Sequence, residues 1–360
     1  MSVHGRSEAL VPRAQREGSP VSLDARAAAP SLPLPPGGRA REGAHIRPPG
    51  HQDGAAVLMA LFVATLATLI VTGLFYRQFV LLRTIENQQL VSQSRQLLRG
   101  ALDWGRAILR EDANRSSYDA LSEPWAQPLA ETRLDQLGET GSIASLASIA
   151  GSMEDAQGRF NLHNLVNNGE IVDKELESLR RLASLLELPK QTADLIAERM
   201  LESKGVPSSS DDKSGEAGRV PLPLMLPRDI RGVQGVAPEA ADRLAPYIVV
   251  LDERTAVNVN TASAEVIAAR VPDLSLAEAR SLVAERERIS YFNSLGEVRT
   301  RLGAKGSAVT DSELSTNSRF FFVRGEVKLD RAVTRMEALV KRGAPGQGPA
   351  AVNILWTREI

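Results

Sequence analysis

The stretch from Ala55 to Tyr76, AAVLMALFVATLATLIVTGLFY, carries no charged residue over 22 positions and constrains this chain more than any other feature. At 1.5 Å per residue, a helix of that length spans about 33 Å, enough to cross a hydrocarbon core of about 30 Å. Thr65, Thr68 and Thr72 do not forbid it, because a helical threonine hydroxyl can bond a carbonyl one turn back. A buried core helix rarely runs so far without charge. A secretory signal has a shorter apolar region followed by a small-residue cleavage site. Here the helical pattern simply continues. Leu90, Val91, Leu97, Leu98, Ala101, Leu102, Ile108 and Leu109 recur at three- and four-residue steps, which marks one buried face of a helix. No proline falls between Ala55 and Asp112. The reading is one helix, membrane-spanning over 55–76 and amphipathic over 77–112.

Residues 1–54 read differently. They hold eight of the chain's 20 prolines and almost no aromatic or β-branched residues. Such a segment buries too little apolar surface to offset its conformational entropy, so it is expected to be a disordered leader. Arg39, Arg41 and Arg47 precede the apolar run, while Arg77 and Arg83 follow it. Positive charge on the cytoplasmic side therefore gives a small preference for a cytoplasmic N-terminus.

Composition removes whole classes of chemistry. With no cysteine, disulfides, thiolate metal sites and a cysteine nucleophile are excluded. Three of the four histidines, His4, His45 and His51, precede the apolar run, leaving His163 alone beyond it. No catalytic residues are expected, and His163 reads as a turn residue. The 43 basic residues against 44 acidic ones give a net charge of -1, so any attraction to nucleic acid needs a local patch.

Gly54 stands where the polar leader meets the apolar run, followed by small and apolar residues. This junction resembles the processing site of type IV pilins and pseudopilins. Three further stretches sharpen the likeness: Glu154–Leu165 (EDAQGRFNLHNL), Val257–Ile267 (VNVNTASAEVI), and Phe320–Val327 (FFFVRGEV) with the closing Val352–Glu359 (VNILWTRE). Together and in this order they resemble the minor pseudopilin K family of type II secretion systems. The resemblance implies an α+β fold: a type IV pilin-like long N-terminal helix on an antiparallel sheet, with a large all-α insertion domain. It implies cleavage after Gly54 by prepilin peptidase, with Ala55 as a methylated new N-terminus. Met59 stands where most pilins have a glutamate that neutralises the ammonium of the subunit above. An apolar residue there fits a tip position, and lipid-facing packing is the competing reading. The implied partners are the minor pseudopilins I and J through the long helix, inner-membrane lipid, and a secreted substrate or the outer-membrane channel. The leader is longer than usual, and Asp53 and Ala55 replace the basic and aromatic residues customary at the site.

Calcium is also implied for the insertion. The family's acidic run is poorly reproduced at Arg199–Ser203, and Asp211, Asp212 and Glu216 form the nearest acidic group. No firm metal site is expected there, ordinary solvated charge being the competing reading.

The expected layout follows the chain. The first part of the sheet domain is 113–165, with a loop over Asn114–Pro128 and a strand over Ser142–Ile149. An acidic turn at Glu154–Gln157 then leads to a partner strand at Gly158–Leu162. The helical insertion is 166–318, with helices between Val172 and Glu202 broken at Pro189, and further short helices beyond. Strands at Phe320–Leu329, Ala332–Lys341 and Ala350–Thr357 close the sheet domain, 319–360.

The segment 255–303 also resembles the helix-hairpin-helix of membrane-anchored DNA receptors, which would make the chain a periplasmic DNA-binding protein. Its hairpin, Val271-Pro272-Asp273-Leu274-Ser275-Leu276, lacks the glycines that let backbone N–H groups meet phosphate. Its six arginines are matched by six acids, so there is no basic excess to release counterions. Nucleic acid is not expected as a partner.

Overall fold

The structure is a computed structural model that describes residues 53–138, 143–204, 220–343 and 351–360. Asp211, Asp212 and Glu216 lie outside those residues. The chain divides into two units, Met1–Ile70 and Val71–Ile360.

Helix α1 runs from Asp53 to Arg115. In the first unit its large apolar side chains, Val57 to Ile70, are all exposed, and the most apolar 18-residue window of α1 is 0% buried. Thr65 and Thr68 bond the carbonyls of Phe62 and Ala64 at 2.8 Å, so their hydroxyls leave no unpaired donor. Within the second unit the helix acquires a buried face, with Leu98, Leu102 and Leu109 no more than 3% exposed.

After α1 come β1 (Leu129–Arg133), β2 (Ala147–Asp155), β3 (Phe160–Asn161), β4 (Val166–Asn167) and β5 (Glu170–Ile171), then α2 (Asp173–Leu185), α3 (Thr192–Glu202) and α4 (Pro238–Leu244). The short strands β6 (Ile248–Val249) and β7 (Val257–Asn258) lead into α5 (Ala264–Arg270), α6 (Leu276–Ile289) and α7 (Leu295–Leu302). Four strands follow: β8 (Leu314–Ser315), β9 (Phe320–Leu329), β10 (Ala332–Arg342) and β11 (Val352–Glu359). A five-stranded sheet in the order β1-β2-β9-β10-β11 is antiparallel throughout.

Period two along β9 decides the layering. Phe321, Val323 and Val327 face the α1 side, where Leu98, Leu102 and Leu109 meet them. Gly325 lies on the same face, and a Cβ there would sit 3.0 Å from Leu98 Cδ2, so glycine lets the helix approach the strand. Arg324, Glu326 and Lys328 point the other way into solvent-side ion pairs. Phe320 and Phe322 share that second face but are buried, because the insertion covers this end through Val249 and Leu251. One strand is thus half-buried at one end and buried on both sides at the other, which explains its run of three phenylalanines.

Two expectations change. The strand placed at Ser142–Ile149 runs instead from Ala147 to Asp155, through the supposed acidic turn. Glu154 reaches Arg324 on the neighbouring strand at 2.6 Å, and Asp155 is buried by donors described below, so both acids sit on a strand. Gly158–Leu162 is not its partner. β2 pairs with β1 and β9, whereas Phe160 and Asn161 pair in parallel with Ile248 and Val249. β1 went unanticipated because its edge position leaves all five residues exposed or half-buried.

The insertion has two apolar cores. One gathers α2, α3 and α4 around Leu179, Ile196 and Leu244. The other gathers α5, α6 and α7 around Ile267, Phe292 and Val298. Each core is closed by a two-residue parallel ladder, Phe160–Asn161 with Ile248–Val249 and Val257–Asn258 with Leu314–Ser315.

Candidate functional site

Two features stand out among the described residues, an exposed stem and a buried polar hub where stem, sheet and insertion meet.

On the stem, Gly54, Ala55 and Met59 fall on the first turns of α1, all exposed. Exposure does not stop where the uncharged run ends at Tyr76. Phe79, Val80, Leu81, Leu82 and Ile85 remain 45–61% exposed, and at 100° per residue the four consecutive ones point in every direction. A helix that is apolar all round is stable only with lipid or other protein about it.

The hub collects four carboxylates around one cation. Arg342, 1% exposed, donates to Asp112 Oδ2 at 2.7 Å and to both oxygens of Asp119 at 2.5 and 2.7 Å. Asp119 also accepts from the Ser318 N–H at 2.7 Å. Glu123 accepts from the Ala120 N–H, the Trp125 indole and the Ser116 hydroxyl. Asp155 takes four donors: the Gln157 N–H, the Asn258 amide, and the Thr261 and Ser318 hydroxyls. Burial raises Asp119 to about 8, against the pull of Arg342. Burial, followed by the charge of Glu123, raises Asp112 to about 6. Burial also pushes Asp155 up, against its four donors. Oxygens of Asp112, Asp119 and Glu123 lie within 4.8 Å of one another, a spacing that could suit a cation. The Arg342 guanidinium already supplies that charge, so the cluster reads as a structural junction joining the end of α1 to β10 and, through Asn258, to the second insertion core.

The asparagines of the two motifs act as backbone clamps. Asn161 accepts from the His163 and Leu251 N–H groups and donates to the Glu253 carbonyl, while Asn164 bonds both the N–H and the carbonyl of Thr255. Asn258 accepts from the Asn260 N–H, and Asn260 bonds both the N–H and the carbonyl of Phe292. In each motif the first asparagine closes a turn on its own chain and the second pairs like a strand with a distant backbone. His163, half-buried and pushed down by burial, contributes its backbone N–H to this turn.

In the helix-hairpin-helix segment the chain's own groups occupy the turn and the helix start. Asp273 adopts φ +58°, the left-handed position where a glycine would be at ease. Ser275 caps α6, and Glu278 bonds back to the Ser275 N–H at 2.9 Å. A hydrogen bond from Lys305, followed by those from Ser275, holds the Glu278 carboxyl down at about 2. The helix N-terminus that would meet a phosphate already holds an anion. Arg280, Arg288, Arg299 and Arg301 each pair with an acid.

Comparison with known proteins agrees with this architecture. Two profiles of the type II secretion system protein K family match consecutive stretches, the first-domain profile over residues 158–253 and the second over 257–317. Their limits coincide with the two clamped cores. Type II secretion system protein K of Pseudomonas aeruginosa is 27% identical over 315 residues, covering 82% of this chain and 90% of that protein. A chain of the crystal structure of the GspK-GspI-GspJ complex from the enterotoxigenic Escherichia coli type 2 secretion system superposes with a TM-score of 0.58 at 19% identity. That match covers 76% of this chain and 98% of the other. A long apolar-headed helix on an antiparallel sheet with an α insertion is the fold this chain shares with that solved chain. Over residues 158–253 and 257–317 the chain is similar to the type II secretion system protein K family, whose name the Pseudomonas relative also carries.

Proposed function

We propose that this chain is a minor pseudopilin that caps the tip of a short periplasmic pseudopilus and nucleates its assembly. It acts without catalysis of its own. In this reading the chain crosses the inner membrane once through 55–76, N-terminus in the cytoplasm, and its head stands in the periplasm. Prepilin peptidase cuts after Gly54, and Ala55 becomes the methylated N-terminus. The stem packs against the stems of the minor pseudopilins I and J, which the complex of the similar solved structure also contains. Met59 leaves no buried carboxylate wanting an ammonium above it, which suits a subunit with nothing over it. The insertion adds bulk at the apex, toward secreted substrate or the outer-membrane channel.

One observation carries the proposal: α1 is a single helix whose first half is exposed and apolar while its second half is built into the head. Such a stem needs lipid at one stage and neighbouring helices at another. Intact-mass analysis of protein extracted from the membranes of secretion-competent cells tests it. A mature chain beginning at Ala55 is the expected result, and a chain retaining residues before Gly54 would overturn the processing step.

A further inference from the structure

Strands β9 and β10 run along the stem, and three contacts order them against it. Arg331, at the tip of the β9–β10 hairpin, donates to Asn87 at 2.9 Å and to Glu86 at 3.1 Å. Gly325 packs against Leu98, and Arg342 at the other end of β10 donates to the Leu109 carbonyl at 3.3 Å. The hairpin tip is therefore the end of these strands nearest the uncharged run, about 15 Å along the helix from Tyr76.

The two ends of the sheet are finished differently. At the far end Phe320, Phe322 and Leu339 are buried with Val249 and Leu251 of the insertion. At the near end Leu137, Ile143, Leu146 and Val333 are 39–60% exposed. The Leu146 carbonyl accepts the Asp330 N–H at the hairpin tip, and the Leu146 N–H bonds the Ile143 carbonyl. Leu137 ends a short helical turn whose Asp135 N–H bonds the Ala144 carbonyl. Val333 follows the tip on β10, opposite Lys328. Four large apolar side chains from three segments thus gather around one hairpin.

The stem indicates what covers them. Phe79 to Leu82 and Ile85, just before Glu86, are exposed and apolar on every side. Lipid covers that segment when it lies at the bilayer interface, with Arg77 and Arg83 extending to the headgroups on their long side chains. A stretch reaching from Ala55 to Ile85 exceeds a hydrocarbon core of about 30 Å and is accommodated by tilt, which lowers one side of the head. At this level three arginines, Arg77, Arg83 and Arg331, face two acids, Glu86 and Asp330. Apolar side chains rimmed by arginine suit the boundary between headgroups and acyl chains, above all where some headgroups are anionic.

We propose that this end of the head rests on the bilayer surface through Leu137, Ile143, Leu146 and Val333. The inference rests on the membrane-spanning reading above and adds to it a second lipid contact, made by the sheet rather than by the stem. A subunit leaving the membrane then has to lift this patch off the lipid as well as withdraw its helix.

The chain has no cysteine, so one introduced cysteine carries a label at one place. Leu146→Cys, Val333→Cys and Arg110→Cys, each bearing an environment-sensitive fluorophore, are compared in full-length protein. Each is held one chain per nanodisc of phosphatidylethanolamine and phosphatidylglycerol. Spin labels on the lipid headgroups are expected to quench the fluorophore at positions 146 and 333. The one at position 110, about 36 Å further along the stem than Glu86, is expected to keep its full emission. Adding Leu137→Asp and Leu146→Asp to the Val333→Cys chain changes only exposed side chains. Most of the quenching at 333 is expected to be lost while the melting temperature holds. Equal quenching at all three positions, or none at 146 and 333 in discs that retain the chain, overturns the contact and leaves the membrane-spanning reading standing. Unchanged quenching in the double-aspartate variant overturns it too. A blue shift without quenching, seen only with two chains in a disc, assigns the patch to a second copy and also overturns it. A chain that does not stay with the discs during gel filtration overturns both readings.

Discussion

Arg342 on β10 and Asp119 in the loop after α1 form a two-oxygen ion pair at 2.5 and 2.7 Å, with both side chains 1% exposed or less. This pair ties strand β10 of the sheet to the loop that leaves the stem. Arg342 is also, among the described residues, the one cation donating to the carboxylates of the hub, with Asp112 beside it. Removing one partner of a buried pair leaves the other uncompensated, at a cost of about 3–5 kcal/mol. Arg342→Met is therefore expected to lose about that much in denaturant unfolding at pH 8. The loss shrinks at pH 5, where the acids can take up protons instead.

The same hub gives the head a pH dependence of definite sign. Burial raises Asp119 to about 8 and Asp112 to about 6, both above the ordinary value of 3.8 that the unfolded chain recovers. The folded state therefore binds protons that the unfolded state has released. The stability that these two carboxyls contribute should be highest at the acid end and fall as pH rises from about 4 through 8, with a limiting slope of about 1.4 kcal/mol per pH unit for each proton. Melting temperature against pH checks this, and Asp119→Asn should flatten the upper part of the curve. A rise in stability between pH 5 and 8 would contradict the burial argument.

Contact between stem and sheet depends on a missing side chain. A methyl group at Gly325 would stand 3.0 Å from Leu98 Cδ2, tighter than a close-packed interior accepts. Gly325→Ala is expected to cost about 1–3 kcal/mol by overpacking. Leu98→Val shortens the opposing side chain, so the double variant should recover part of that loss, and a double-variant cycle in thermal unfolding measures the coupling.

The long helix, the three closing strands and the break between α2 and α3 were legible in the sequence, because each rests on local periodicity. Phe320–Leu329 was read to the residue. What stayed hidden is what depends on distant partners. Glu154 and Asp155 look like a turn until Arg324, Asn258 and Ser318 are seen to satisfy them. Asp119 and Glu123 sit in a stretch read as a polar loop, although Ala120 and Trp125 beside them were a sign that it is buried. Nothing local marks Arg342 as different from the arginines of the ion pairs on the other face.

Asn161 and Asn164 in one stretch and Asn258 and Asn260 in the other make parallel backbone contacts, and their geometry gives the last expectation. Asn258 donates to Asp155, to the Ser318 hydroxyl and to the Asp119 carbonyl, so one amide joins the sheet, the post-stem loop and the second insertion core. It is 0% exposed, so no water replaces what its removal leaves unpaired. Each buried group so orphaned costs about 1–3 kcal/mol, and Asp155 would lose one of the four donors that keep its carboxylate tolerable there. Asn260, by contrast, grips the Phe292 backbone at 2.8 and 3.0 Å inside its own core. Asn258→Ala should therefore loosen the junction between insertion and sheet, seen as amide exchange spreading to Asp119 and Ser318. Asn260→Ala should confine its loosening to the loop around Phe292. Identical exchange patterns in the two variants would show that the clamps are interchangeable and that Asn258 has no bridging role.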